Sequence, residues 1–403
     1  MKIIQTDYKT IQISFHMIDE DDVKQRAYRF LLQKMLVSHT AKYQTRQEMS
    51  TYLQTLYGAS LGGRTSHIGN LNMIHIALMI VNPSMVNELR LVDDVIELFN
   101  QMITGRTFFS QSIFDHEKRM LIEQWESIED QKRLYASIHF NQKFYLDHPF
   151  GYPESGYVED IKNTTLDGLK MYFKKVLETN KRLVIVNGFI ASYEDKLREG
   201  LKQLEKEGPQ KIVFAPLINH SENQISEYLE MNQAIIHLGY HLPIFRNEAL
   251  YEAALCFDLM VGGYAESILF KEIREKEGLC YDVRSAYDSI YGILTIKSGV
   301  DLKRKTEAIE KIHEIIKHLE KYGFNEDALE HAKKYIIHQI KSSYDDQGAL
   351  TMRAFFDILY ANPVSLDEKI KRIMKVSFSD VLKIRNQLKL QTTYVLSGDK
   401  NDN

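Results

Sequence analysis

Fourteen histidines in a chain of 403 residues make metal ligation the first chemistry to test. A helix can present two ligands on one face only at i, i+3 or i, i+4 spacing. His313 and Glu314 begin an H-E-x-x-H match, but position 317 is Lys317 and His318 comes one residue too late. The inverted order H-x-x-E-H finds Glu330 and His331, but Asp327 where its first histidine belongs. Both read as solvated helix faces. His237 and His241 are four apart in a strand-like segment, where core or surface histidines are the simpler reading. The glycine-rich phosphate loops G-x-x-x-x-G-K-[ST] and G-x-G-x-x-G are missing from the sequence. The stretch that stands out is GGYAESILFKEIREKEGLCYDVRSAY (262 to 287). Two glycines end a helix, a second helix opens near Glu266, Gly278 stops it, and a strand begins at Cys280. A glycine turn thus joins the helix carrying Arg274 to the strand carrying Tyr281 and can bring both toward one point. The same residues also suit a surface arginine and a half-buried strand tyrosine.

The elements that must position these residues occur twice. Strand-like ISFHMI (13 to 18) is matched by IHLGYHL (236 to 242), and the helical RAYRFLLQKML (26 to 36) by YEAALCFDLMV (251 to 261). Phe15 and Tyr240, and Met35 and Met260, are both 225 positions apart. IFDHEKRMLIEQ (113 to 124) parallels ALEHAKKYIIHQ (328 to 339), and RLVIVNG (182 to 188) parallels TTYVLSG (392 to 398). The pattern predicts an α+β protein of two homologous domains, 1–199 and 227–403, each a mostly antiparallel sheet packed with helices. Residues 200–226 hold Gly208, Pro209, Pro216 and a polar run, and read as the linker.

Composition narrows the function classes. Apolar residues make up 44% and charged residues 26%, which suits a folded chain rather than a disordered one. With 51 Lys plus Arg against 55 Asp plus Glu there is no basic footprint for nucleic acid. Two cysteines, Cys256 and Cys280, cannot make a disulfide framework, so the cytoplasm is the expected compartment. No run of 18 apolar residues predicts a membrane span.

The 262–287 stretch resembles the second-domain signature of the pitrilysin/insulinase superfamily of zinc peptidases, roughly G-G-x-x-S-x-L-F-x-x-I-R-E-x-x-G-L-x-Y-x-V. Ser267, Leu269, Phe270, Ile273, Arg274, Glu275, Gly278, Leu279, Tyr281 and Val283 match in one register, and the glycine pair Gly262 and Gly263 matches with one residue more before the serine. HPFGYPESGYVEDIKNTTLDGLKMYF (148 to 173) is similar to a second family segment, so the resemblance runs along essentially the whole chain. It implies two homologous domains forming one half of a clam-like chamber. In active members an H-x-x-E-H helix of the first domain holds zinc and the general base. Here Phe30, Gln33 and Lys34 fall on those three positions, and a further zinc-ligating glutamate falls near Asp115 or Glu117. Phe30 has no ligand atom, Gln33 cannot take a proton from water, and Lys34 would set a cation beside the metal. The resemblance therefore implies no zinc or other cofactor in this chain.

In related enzymes the second-domain arginine and tyrosine approach the scissile carbonyl, which makes Arg274 and Tyr281 the expected carbonyl-binding pair and Gly262, Gly263 and Ser267 expected substrate neighbours. Within the family the sequence looks most like bacterial non-catalytic members that accompany a zinc-bearing homologue, a YmfF-like group labelled as elongation factor P modification-associated. The function this implies is the non-catalytic subunit of a heterodimeric peptidase, with zinc in a homologous partner, a peptide as substrate, and a homodimer when the partner is missing. The alternative is a scaffold or peptide-binding protein without proteolysis, like relatives that lost catalysis.

Overall fold

The computed structural model describes all of residues 1–403 except 105–107, 147, 209–211, 213–221, 247, 362 and 399–403. Its first sheet is built from β1 (Lys2–Gln5), β2 (Thr10–Glu20), β3 (Ser60–Ile68), β4 (Leu71–Val81) and β5 (Lys181–Gly188), in the order β1-β5-β2-β4-β3. The second is built from β6 (Asn223–Tyr228), β7 (Gln233–His241), β8 (Cys280–Asp288), β9 (Ile293–Asp301) and β10 (Lys389–Ser397), in the order β6-β10-β7-β9-β8. β1 pairs with β5, and β6 with β10, in parallel; the remaining pairings are antiparallel. The second order is the first with five added to each strand number, so the repeat in the sequence is a repeat of topology.

Side chains alternate between the faces of a strand, and both faces of each central strand are covered. On β2, Ile11, Ile13, Phe15 and Met17 join a core with Leu31, Leu32 and Met35 of the helix Arg26–Ser38 and Val95 and Phe99 of the helix Arg90–Met102. Gln12, Ser14 and His16 alternate with them. On that side Thr351 donates to Gln12 Oε1 at 3.0 Å, and the Phe355 ring stacks on His16 with centroids 4.4 Å apart. On β7, Ala234, Ile236, Leu238 and Tyr240 pack with Cys256, Phe257 and Met260. Across the strand, Ile235 packs with Phe140 and Phe144. Gly239 permits that approach, since a Cβ there would stand 2.4 Å from the Phe144 ring.

The helices on these second faces are lent by the other half of the chain. Gln347–Leu359 lies on the first sheet and Lys132–Tyr145 on the second. Buried amides fasten the first of them: Gln347 Nε2 donates to the carbonyls of Thr10 at 3.0 Å and Asn187 at 2.8 Å, and Asn187 Nδ2 donates back to the Gln347 carbonyl at 2.9 Å. The compact units are consequently discontinuous. One holds Met1–Glu126, Pro153–Val213 and Ser343–Pro363; the other holds Ser127–Tyr152, Phe214–Ser342 and Val364–Asn403. The contiguous division 1–199 and 227–403 differs from this in the two lent segments, because a helix's own pattern does not say which sheet it covers. Within the expected linker 200–226, residues 209–211 and 213–221 lie outside the described residues, and Leu201 and Leu204 are core positions.

Candidate functional site

The stretch singled out in the sequence folds as helix, turn and strand. The helix Tyr251–Asp258 runs on into a π-helical turn, Leu259–Gly263, and a second π-helical stretch spans Phe270–Lys276. Its end is tied off by Glu277 N–H to the Glu272 carbonyl at 3.1 Å and Leu279 N–H to the Ile273 carbonyl at 2.8 Å. Gly278 makes the turn at φ +57°, in the left-handed region that glycine enters at no steric cost. β8 starts two residues later, and the π-helical stretch packs against it.

Arg274 and Tyr281 are both exposed, Tyr281 by 55%. The Arg274 guanidinium lies 4.7 Å from the centre of the Phe270 ring, a cation–π contact that leaves its N–H groups open. Among the described residues neither Arg274 nor Tyr281 has a hydrogen bond or ion pair, to each other or to a third group. Burial pushes the neighbouring Cys280 thiol up, while the hydroxyl of Ser298 and the Arg274 charge act in the opposite sense. The field of Arg274 thus reaches the residue that precedes Tyr281.

The three expected substrate neighbours divide by burial. A Cβ on Gly262 would stand 2.7 Å from the backbone nitrogen of Ser285, so this buried glycine lets the helix end seat directly on β8. Ser267 is 1% exposed, with its hydroxyl unpaired, and can touch no ligand where it stands. Gly263 is half-buried, and a Cβ there would meet Leu259 at 2.8 Å. Gly262 and Ser267 therefore correct the expectation: they shape the packing beneath the site and do not line it.

Phe30, Gln33 and Lys34 share one face of the helix Arg26–Ser38. Lys34 Nζ lies 5.6 Å from the Phe30 ring centre. Gln33 is 2% exposed and lies against β3, where a Cβ at Gly63 would come within 2.6 Å of its Nε2. On the facing helix Gln111–Glu126, Asp115 is exposed and accepts from Gln111 Nε2 at 2.8 Å, while Glu117 is buried and its carboxylate is taken by the Arg46 guanidinium. A lysine ammonium, an amide and a carboxylate already neutralised by arginine do not fit a divalent cation. Among the described residues no three His, Cys, Asp or Glu side chains gather closely enough to hold one.

Sequence reasoning missed one polar cluster. His16 and His75 face each other in the β2–β4 register, and Ser66 Oγ lies 2.6 Å from His75 Nε2. Only the strand pairing puts these residues together. His237, read as a core or surface histidine, is 2% exposed and meets Phe140 edge-on at 5.2 Å. Among the described residues no helix is long and apolar enough to cross a membrane.

Comparison with known proteins agrees with this geometry. Residues 164–336 match the family described as the peptidase M16 inactive domain. The Bacillus subtilis protein named "Probable inactive metalloprotease YmfF" is 23% identical over 98% of this chain and 95% of its own length. A conserved protein of Enterococcus faecalis superposes over 100% of this chain and 96% of its own with a TM-score of 0.89 at 25% identity. A peptidase M16 inactive domain from Pseudomonas fluorescens does so over 100% and 96% with a TM-score of 0.82 at 16% identity, which speaks for the fold.

Proposed function

The chain is an M16-family peptidase-like homologue of the inactive type, and from that premise we propose that it is the non-catalytic subunit of a two-chain zinc peptidase of the cytoplasm. A homologous partner carrying the zinc motif supplies the metal; this chain supplies Arg274 and Tyr281 to the carbonyl of a bound peptide. The observation that carries the reading is that both side chains are exposed and have no hydrogen-bond or ion-pair partner among the described residues, on a helix end and a strand start joined by a tight glycine turn. Donors for an oxygen gaining negative charge contribute most when they need no rearrangement, and neither side chain has an internal hydrogen bond to give up. The filled face at Phe30, Gln33 and Lys34 gives the complementary reason for a partner, since a carbonyl-binding pair does nothing without an activated water. Without its partner the chain is expected to pair with a second copy, because homologous faces pair symmetrically.

The test is to purify the chain with and without the zinc-motif homologue of the same organism, then record bound zinc and cleavage of a quenched fluorescent peptide. Cleavage by the mixture alone, with about one zinc per pair, supports the reading. Absence of both complex and cleavage overturns it in favour of a scaffold or peptide-binding protein.

A further inference from the structure

Among the described residues β8 is an edge strand, paired with β9 alone, and its register slips at Tyr281. Cys280 faces Val300 and Asp282 faces Gly299, which leaves Tyr281 as the extra residue of a β-bulge. A bulge interrupts the ladder and re-aims side chains, so something besides strand pairing has to fix where Tyr281 points. The next residue provides it. Asp282 accepts twice from Arg133, Nη1 to Oδ2 at 3.1 Å and Nη2 to Oδ1 at 3.0 Å, and its carbonyl accepts from Ser298 Oγ at 2.9 Å. Gly299, opposite, leaves the room: a Cβ there would stand 2.9 Å from Asp282 Oδ1 and 3.6 Å from Arg133 Nη2.

A bidentate guanidinium–carboxylate pair fixes direction as well as distance. Arg133 belongs to the lent helix Lys132–Tyr145, which Phe140 and Phe144 anchor to the second sheet, so the guanidinium is presented from a fixed element. We propose that Arg133 and Asp282 are positioning residues that clamp the bulge and aim Tyr281 for ligand contact. The aim of a residue coded in the second half of the chain is then set by a helix coded in the first. This inference rests on the peptide-facing role of Tyr281. The pair is itself exposed, by 65% at Arg133 and 35% at Asp282. Exposed pairs contribute little to global stability, so a positioning role and a merely structural one predict different results.

The experiment uses the full chain with 3-fluorotyrosine placed at position 281, read by fluorine NMR and by amide exchange of residues 280–283. Arg133→Met and Asp282→Asn should each shift the fluorine resonance and speed local exchange by about tenfold without moving the melting temperature. The charge swap Arg133→Asp with Asp282→Arg should restore both signals. Unchanged exchange and resonance in the single variants overturn the clamp, and so does a swap that restores neither. Binding of a fluorescein-labelled extended peptide separates the two claims. If Arg133→Met frees the bulge yet neither it nor Tyr281→Phe weakens the peptide, the clamp stands and the peptide-facing reading of Tyr281 falls.

Discussion

The Nδ1 atoms of His16 and His75 lie 2.6 Å apart between neighbouring strands, with the Phe355 ring stacked on His16 at 4.4 Å and edge-on to His75 at 5.0 Å between ring centres. Burial, above all, pushes both imidazoles below their ordinary value; the charge of Arg64 acts the same way on each, and His75 is brought to about 3. Two neutral rings, one donating to the other, satisfy this geometry, and two cations do not.

Acid should therefore loosen the first unit. An unfolded histidine gains its proton near pH 6.5, whereas these two stay neutral in the fold. Between the two values the unfolded chain binds more protons, so their stability is fully present above about pH 6.5 and is lost as pH falls toward the folded values. The limiting slope is about 1.4 kcal/mol per pH unit for each ring. Urea unfolding from pH 7.5 to pH 5 should show this fall, and His16→Gln with His75→Gln should flatten it. Some slope will remain, because His39 and His237 are displaced in the same direction by burial, to about 4 and about 3. An unchanged slope in the double variant would mean that the pair is protonated in the fold.

The two glycines at the helix end should differ in what they tolerate. Gly262→Ala sets a methyl 2.7 Å from the Ser285 backbone nitrogen, and Ser285 is held by its hydroxyl to the Asp258 carbonyl at 3.0 Å. Backbone so fixed cannot yield cheaply, and a loss of about 1–3 kcal/mol is expected in denaturant unfolding. Gly263→Ala meets the tip of Leu259 at 2.8 Å, which can turn aside, and the Asp258 carbonyl oxygen at 3.2 Å, which has to give by only a few tenths of an ångström, so a smaller loss of about 1 kcal/mol is expected there. Equal losses would mean that the helix end does not seat on β8 as described.

Arg274→Ala and Tyr281→Phe should behave as ligand-site variants. Both side chains are exposed and unpaired among the described residues, so their melting curves should shift by no more than about 0.5 kcal/mol. In a reconstituted pair each should lower peptide turnover by about a hundredfold, the scale of a lost oxyanion donor, with assembly intact by size-exclusion chromatography. Turnover equal to the unmodified pair would reduce both residues to remnants.

Much of this was legible in the sequence because it is local. The alternation of Ile11, Ile13, Phe15 and Met17, the left-handed stop at Gly323 and the Asn325 cap on Ala328 N–H at 3.0 Å are each written in a few neighbouring residues. The turn joining Arg274 to Tyr281 was legible for the same reason, with Gly278 marking it. What escaped depends on pairing between distant segments. Register alone makes Tyr281 a bulged residue and sets His16 opposite His75, and the packing of a lent helix brings Arg133 to Asp282 from 149 positions away. The lent helices escaped likewise: Phe140 and Phe355 read as ordinary apolar positions until the sheet each one covers is known. Ser267 misled because a resemblance transfers a residue's identity without its burial.

The degenerate zinc face permits a sharper test, because its remaining carboxylate is already occupied. Phe30→His, Gln33→Glu and Lys34→His would place two imidazoles at i and i+4 on one helix face, the spacing a metal needs. A third protein ligand is still required, and the inward candidate, Glu117, is paired with Arg46. A metal recruiting Glu117 must displace that guanidinium or share the carboxylate with it, and either one weakens binding. The triple variant should accordingly bind zinc weakly in a chelator competition, and adding Arg46→Ala should tighten it by at least about tenfold, or about 1.4 kcal/mol. Removing the arginine exposes a buried carboxylate that lacks its counter-ion, so the quadruple variant should also melt lower without zinc and recover with it. If Arg46→Ala leaves the affinity unchanged, Glu117 is not the remaining ligand. The exposed Asp115, which among the described residues is bonded only to Gln111 on its own helix, would then be the position to examine.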